Sequence, residues 1–119
     1  MKKVIVLDDN HDILEAVLLV LKRITKDVVA LDQPALLERC IPVDQPSVLL
    51  MDIFMGNYDG RKICRLLKDN PLFSQLSIVL FSAQTYTYES VEESGADAIL
   101  NKPFSMQTLT NVMGKFLNS

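Results

Sequence analysis

Five short apolar runs punctuate the chain, and between them apolar residues recur at helical spacing. The runs are Val4–Leu7, Asp27–Leu31, Val48–Met51, Ser77–Phe81 and Ala98–Leu100. Continuous rather than alternating apolar character marks strands buried on both faces of a parallel sheet. After the first run, Ile13, Val17, Val20, Leu21 and Ile24 predict a helix with Lys22 and Arg23 in its last turn, where cations favour the dipole. Pro34 opens a second helix that carries Leu36, Leu37, Cys40 and Ile41 inward and ends before Pro42. Asp59 caps a third over Arg61–Lys68, presenting Ile63, Leu66 and Leu67 and broken by Asn70-Pro71. A weaker fourth, Tyr86–Ser94, stops at Gly95, and Ser105 caps a last one with Met106, Leu109, Val112, Met113 and Phe116 on one face. Five alternations with short connections predict an α/β, (βα)5 doubly wound domain of the flavodoxin-like kind. Its five-stranded parallel sheet is expected in the order 2-1-3-4-5.

Composition narrows the field. The 119 residues are one domain's worth, read as a single unit over 1–119, and 49% hydrophobic with 23% charged residues describes a globular chain. A net charge of −3 and a pI near 5.0, with no run of Lys or Arg, speak against a nucleic-acid surface. The start MKKVIVLDD is too short in its apolar part for a signal peptide, and no run approaches a membrane span. Cys40 and Cys64, far apart and without CxxC spacing, read as reduced packing residues of a cytoplasmic protein.

Parallel strands point their carboxyl ends one way, so whatever follows each strand shares one crevice. Asp8 and Asp9 follow the first strand, Asp52 the third, Ser82 the fourth and Lys102 the fifth, whereas Asp32 after the edge strand reads as a turn residue. Crowded carboxylates repel by about 4 kcal/mol per contact at 4 Å and an effective dielectric near 20. Protonation or a shared hard divalent cation relieves that cost, and Mg2+ suits a few carboxylates plus waters. A lysine and a hydroxyl beside them suit a phosphoryl group, and an aspartate so placed can become an aspartyl phosphate.

Asp8-Asp9, Asp52, Ser82 and Lys102-Pro103-Phe104, with Gly95-Ala96-Asp97 before the fifth strand, resemble the response-regulator receiver domain of two-component signalling, and the chemotaxis-type single-domain receiver in particular. The resemblance spans essentially the whole chain. It implies Asp52 as phosphoacceptor, Asp8, Asp9, Asp52 and the Phe54 carbonyl as Mg2+ ligands, Ser82 and Lys102 as partners of the phosphoryl group, and a cis Lys102-Pro103 bond. It further implies a histidine kinase or phosphotransfer protein as donor, and a downstream protein target on the face of the fourth helix, fifth strand and fifth helix. No direct contact with nucleic acid or membrane is implied, nor any turnover beyond self-catalysed phosphorylation and slow autodephosphorylation. Phe54 and Gln84 occupy positions that tune phosphate lifetime in that family. Two positions depart from the pattern. Proline is usual where this chain has Gly56, which predicts a looser loop. Tyr or Phe is usual at Ile99, where the family's ring swings inward on activation. A branched side chain with few rotamers cannot relay in that way. Phosphorylation is therefore expected to perturb Ser82–Ser94 more than Ile99, readable from NMR shifts with beryllofluoride, and a large rotamer change at Ile99 alone would contradict it.

Three rival readings meet obstacles in the sequence. A haloacid-dehalogenase-like phosphohydrolase calls for Asp-x-Asp where Asp8-Asp9-Asn10 stands, and a flavodoxin-type FMN carrier needs a phosphate loop where the acids are. A phosphorylation-independent docking module would not need the complete acceptor set. With the last helix closing the sequence, the expectation is either a stand-alone receiver or one excised from a longer regulator. His11 reads as a solvated loop residue, Tyr86 and Tyr88 equally as a partner surface on the fourth helix or as packing or exposed positions, and Met51, Met55, Met106 and Met113 as packing.

Overall fold

In a computed structural model that describes residues 3–82, 92–102 and 104–117, five parallel strands form one sheet. They are β1 (Lys3–Leu7), β2 (Asp27–Leu31), β3 (Val48–Asp52), β4 (Ser77–Ser82) and β5 (Ala98–Asn101), in the order β2-β1-β3-β4-β5. This is the topology the apolar runs predict. Every residue of β3 is buried, as expected of a central strand covered on both faces. One face (Ile5, Leu7, Leu49, Met51, Ile78, Leu80) packs on α2 (Leu37–Asp44) and α3 (Gly60–Lys68). The other (Val4, Val6, Val48, Leu50, Val79, Phe81, Leu100) packs on α1 (His11–Leu21) and the C-terminal helix (Met106–Leu117).

Several boundaries and faces differ from expectation. Helix α1 begins at His11, so this histidine lies in a helix rather than a loop, and Asn10 caps it by accepting from the Asp12 and Ile13 N–H groups. It stops at Leu21, not Ile24, because the Ile24 and Thr25 N–H groups both turn back to the Leu21 carbonyl. Leu14 joins its buried stripe. Pro34–Leu36 form a 3-10 turn, and α2 then runs through Pro42 instead of ending before it. Proline forfeits one bond there, but the helix closes soon after, where Gln45 at φ 47 donates to the Ile41 carbonyl.

Helix α3 is rotated by its first residue. Gly60 lies so close to β3 that a Cβ would collide with the Asp52 carbonyl oxygen, and its N–H donates to the Ile53 carbonyl at 2.6 Å. Positions three, four and seven residues on, Ile63, Cys64 and Leu67, then face the sheet. Leu66, expected inward, is 72% exposed instead, and Met106 on the last helix is likewise 52% exposed. Gly60→Ala should therefore cost about 1–3 kcal/mol of stability, the usual range for forced overpacking. Urea denaturation would measure it, and an unchanged midpoint would show that the helix can step away freely.

The Ser105 hydroxyl caps the last helix by accepting from the Thr108 N–H at 3.0 Å, as predicted. Residues 92–94 are helical and end at Gly95, φ 80. The rest of the expected helix Tyr86–Ser94, with Gln84, Tyr86 and Tyr88, lies outside the described residues, as do Pro103 and hence the isomer of its peptide bond, and the Ser82 side chain.

Candidate functional site

The register of the sheet brings the strand ends together. Leu7 pairs with Met51, Asp52 with Phe81, and Ser82 with Asn101, so Asp8, Asp52 and Lys102 leave the sheet at one edge. Asp8 is fully buried and well held: its N–H donates to the Leu31 carbonyl at 3.1 Å, and its Oδ1 accepts from the Asn10 N–H at 3.0 Å. Lys102 Nζ stands 3.1 Å from Asp8 Oδ2 and 3.4 Å from Asp52 Oδ2. Asp9 is exposed beside them, and carboxylate oxygens of Asp8, Asp9 and Asp52 all lie within 4.8 Å of one another.

Asp52 shows how these charges balance. Burial pushes its carboxyl up from the ordinary 3.8 to about 6, against the pull of the Lys102 ammonium. The neighbouring Asp8 raises it further, while hydrogen bonds from Lys102 and from the Phe54 backbone N–H lower it. One lysine thus serves two carboxylates without satisfying both. A set of hard oxygen donors with surplus negative charge, open to solvent through Asp9, fits a divalent ion such as Mg2+.

The loop after Asp52 is tied down on the other side. Phe54–Met55 and Tyr58–Asp59 pair as a small antiparallel ribbon. Gly56 at φ 58 is the first of its two turn residues, the place where a type II′ hairpin calls for glycine. Proline cannot adopt that φ, so Gly56 shapes a hairpin here where looseness was expected. Asp59 caps α3 through the Arg61 N–H at 2.9 Å and also takes the Arg61 guanidinium at 3.0 and 2.7 Å. Those hydrogen bonds hold its carboxyl below the usual range. The same guanidinium lies 5.3 Å above the Phe54 ring.

Of the predicted site residues, Asp8, Asp9, Asp52 and Lys102 are brought together. Ser82 reaches the same edge by its backbone register. Asp32 is more than a turn residue: its Oδ2 lies 3.0 Å from His11 Nε2 at the exposed start of α1. Cys40 and Cys64 are unbridged, and burial pushes the Cys64 thiol up to about 11, as befits an inert packing residue. Asp97 proves structural, accepting from the Ile78 N–H at 2.7 Å and pairing with Lys68 at 2.6 Å.

Three residues around the site went unread. Asn10 could have been found as a cap-forming type just ahead of the helical pattern. Arg61 could have been found from its spacing to Asp59. Phe81, whose ring lies 4.6 Å beneath Lys102 Nζ, left no signal beyond its place in an apolar run.

A family model described as the response regulator receiver domain matches residues 4–113. The protein PilG of Pseudomonas aeruginosa is 31% identical over 110 residues, covering 90% of this chain and 81% of PilG. The response regulator PleD of Caulobacter vibrioides is 37% identical over 62 residues, but these are only 14% of its length. Among solved structures, a response regulator signal receiver domain from Bermanella marisrubri superposes with a TM-score of 0.89 at 25% identity, covering 98% of both chains. The chemotaxis response regulator CheY4 of Vibrio cholerae shares the fold, with a TM-score of 0.87 at 19% identity and 98% coverage of both.

Proposed function

Because this chain belongs to the response regulator receiver family, whose general role is to accept a phosphoryl group, we propose that Asp52 is its acceptor. One observation carries the assignment: three carboxylates lie within 4.8 Å of one another, Lys102 pairs with two of them, Asp8 and Asp52, and Asp52 is the one at the end of the central strand. A carboxylate oxygen of Asp52 forms a bond to phosphorus as the bond from phosphorus to the donor's imidazole nitrogen breaks, the electron pair leaving with that nitrogen. Lys102, already at 3.4 Å, follows the charge onto the phosphoryl oxygens, and the Ser82 hydroxyl donates to another of them. Asp8, Asp9, Asp52 and the Phe54 carbonyl would hold Mg2+, which when bound would offset the negative charge gathering there.

The donor is a histidine kinase or a phosphotransfer protein. The downstream partner is a protein on the face of β5, the C-terminal helix and the segment preceding Gly95. Residues 1–119 act as one such unit, in the cytoplasm, and no helix among the described residues is long and apolar enough to cross a membrane. The transfer is made once per site, so a small phosphomonoester in excess should not be turned over. Sustained release of phosphate would instead favour a phosphohydrolase.

The metal assignment has its own test. Mg2+ should raise the thermal midpoint of the parent by binding only the folded state. Asp9→Ala should relieve repulsion in the metal-free protein and abolish most of that rise. An equal rise in the variant would remove Asp9 from the ligand set.

A further inference from the structure

Lys102 touches a third partner besides the two aspartates. Its Nζ lies 4.6 Å from the centroid of the Phe81 ring, which is fully buried, and Phe81 meets Phe104 edge to face at 5.9 Å and 81°. Phe104 is half-buried and lines a groove of about 670 Å³ between α1 and the C-terminal helix, beside Ile13, Leu19, Met106 and Leu109. Lys102 itself lines that groove, and Leu19 and Met106 are 70% and 52% exposed along it. Ile99 packs with the cluster on the opposite face of the sheet.

We propose that Phe81 and Phe104 carry the charge state of Asp52, read by Lys102, to the groove between α1 and the C-terminal helix. The proposal rests on Asp52 being the phosphoacceptor. A phosphoryl group replaces one carboxylate charge with about −1.5 to −2, so it draws the shared ammonium toward itself. Attraction between an ammonium and a ring face fades beyond about 6 Å, so a shift of about 1.5 Å away from the ring ends it. Phe81 cannot answer by turning, because it is enclosed in a close-packed core where any turn opens a void. Phe104 is half-buried and free of that restriction, so the change in its neighbour is expressed there, and the groove it lines takes a different shape. Two arrangements of one ring, favoured differently by the two charge states, are what a switch requires. The relay needs no aromatic side chain at Ile99.

NMR of the whole chain with Mg2+, with and without beryllofluoride, tests this. In the parent, two groups of signals should shift: amides beside the site (Asp9, Ile53, Phe54) and methyls along the groove (Leu19, Met106). In Phe81→Leu the first group should still shift and the second should be lost. Phe104→Leu, a change outside the fully buried core, should lose the second group in the same way. Groove shifts of parental size in both variants, or no groove shift in the parent beside a clear shift at the site, would overturn the relay while leaving the acceptor intact. Silence of both groups in the parent would instead remove the acceptor reading, and the relay with it.

Discussion

Replacing Lys102 by Ala should destabilise the metal-free protein by about 3–5 kcal/mol, the cost typical of leaving a buried charge without its partner. Asp8 is fully buried, and with Lys102 gone its Oδ2 loses the ion pair at 3.1 Å, while Oδ1 keeps the Asn10 N–H. Asp52 loses the Lys102 ammonium as well, the largest influence that now opposes the effect of burial on its carboxyl. Asp52 can then relieve the pocket only by holding its proton to higher pH. The loss should therefore be larger in alkaline than in mildly acidic buffer. A divalent cation is the other source of positive charge, so Mg2+ should raise the midpoint of Lys102→Ala by more than it raises the parent's. Thermal unfolding of both proteins with Mg2+ or with chelator reads this. A variant as stable as the parent without metal would mean that buried Asp8 does not depend on this ion pair.

Asp52→Asn should act in the opposite direction. Asp52 titrates at about 6 in the folded chain and near 3.8 when unfolded, so between those values the folded state holds the extra proton. Stability supplied by the protonated form is complete below about 3.8 and is lost as pH rises through about 6. At neutral pH the parent therefore carries a destabilisation of about 3 kcal/mol, at about 1.4 kcal/mol for each tenfold in proton affinity. Asparagine has no charge to bury, so the metal-free variant should be more stable than the parent at neutral pH, and the two should converge near pH 4. Denaturation across that range, parent against variant, isolates this group from the other carboxylates. A constant difference at every pH would contradict the assigned cause.

The sheet and the cluster of Asp8, Asp9, Asp52 and Lys102 were legible because their signals are local. Val48–Met51 is unbroken and apolar up to a carboxylate, and a parallel topology makes strand ends neighbours whatever lies between them. Helix faces were harder. Leu66 has helical spacing to Ile63 and Leu67, yet the rotation of α3 is fixed by Gly60 against the Asp52 carbonyl, a contact that helical periodicity does not encode. Pro42 reads as a stop, but near a helix end it costs a single bond, and a left-handed cap at Gln45 takes over. The ring of Phe81 beneath Lys102 was invisible for a different reason. Its partner is 21 residues away in the chain, and an apolar run says that a residue is buried without saying what it meets.

The most direct test of the central claim is where a phosphoryl group lands. The parent and Asp52→Asn would each be incubated with acetyl phosphate and Mg2+, weighed intact by mass spectrometry, and mapped by peptide. One added phosphoryl group is expected on the parent, on the peptide containing Asp52, and none on the variant. Full labelling of the variant, or a parent labelled at Asp8 or Asp9 instead, would contradict it.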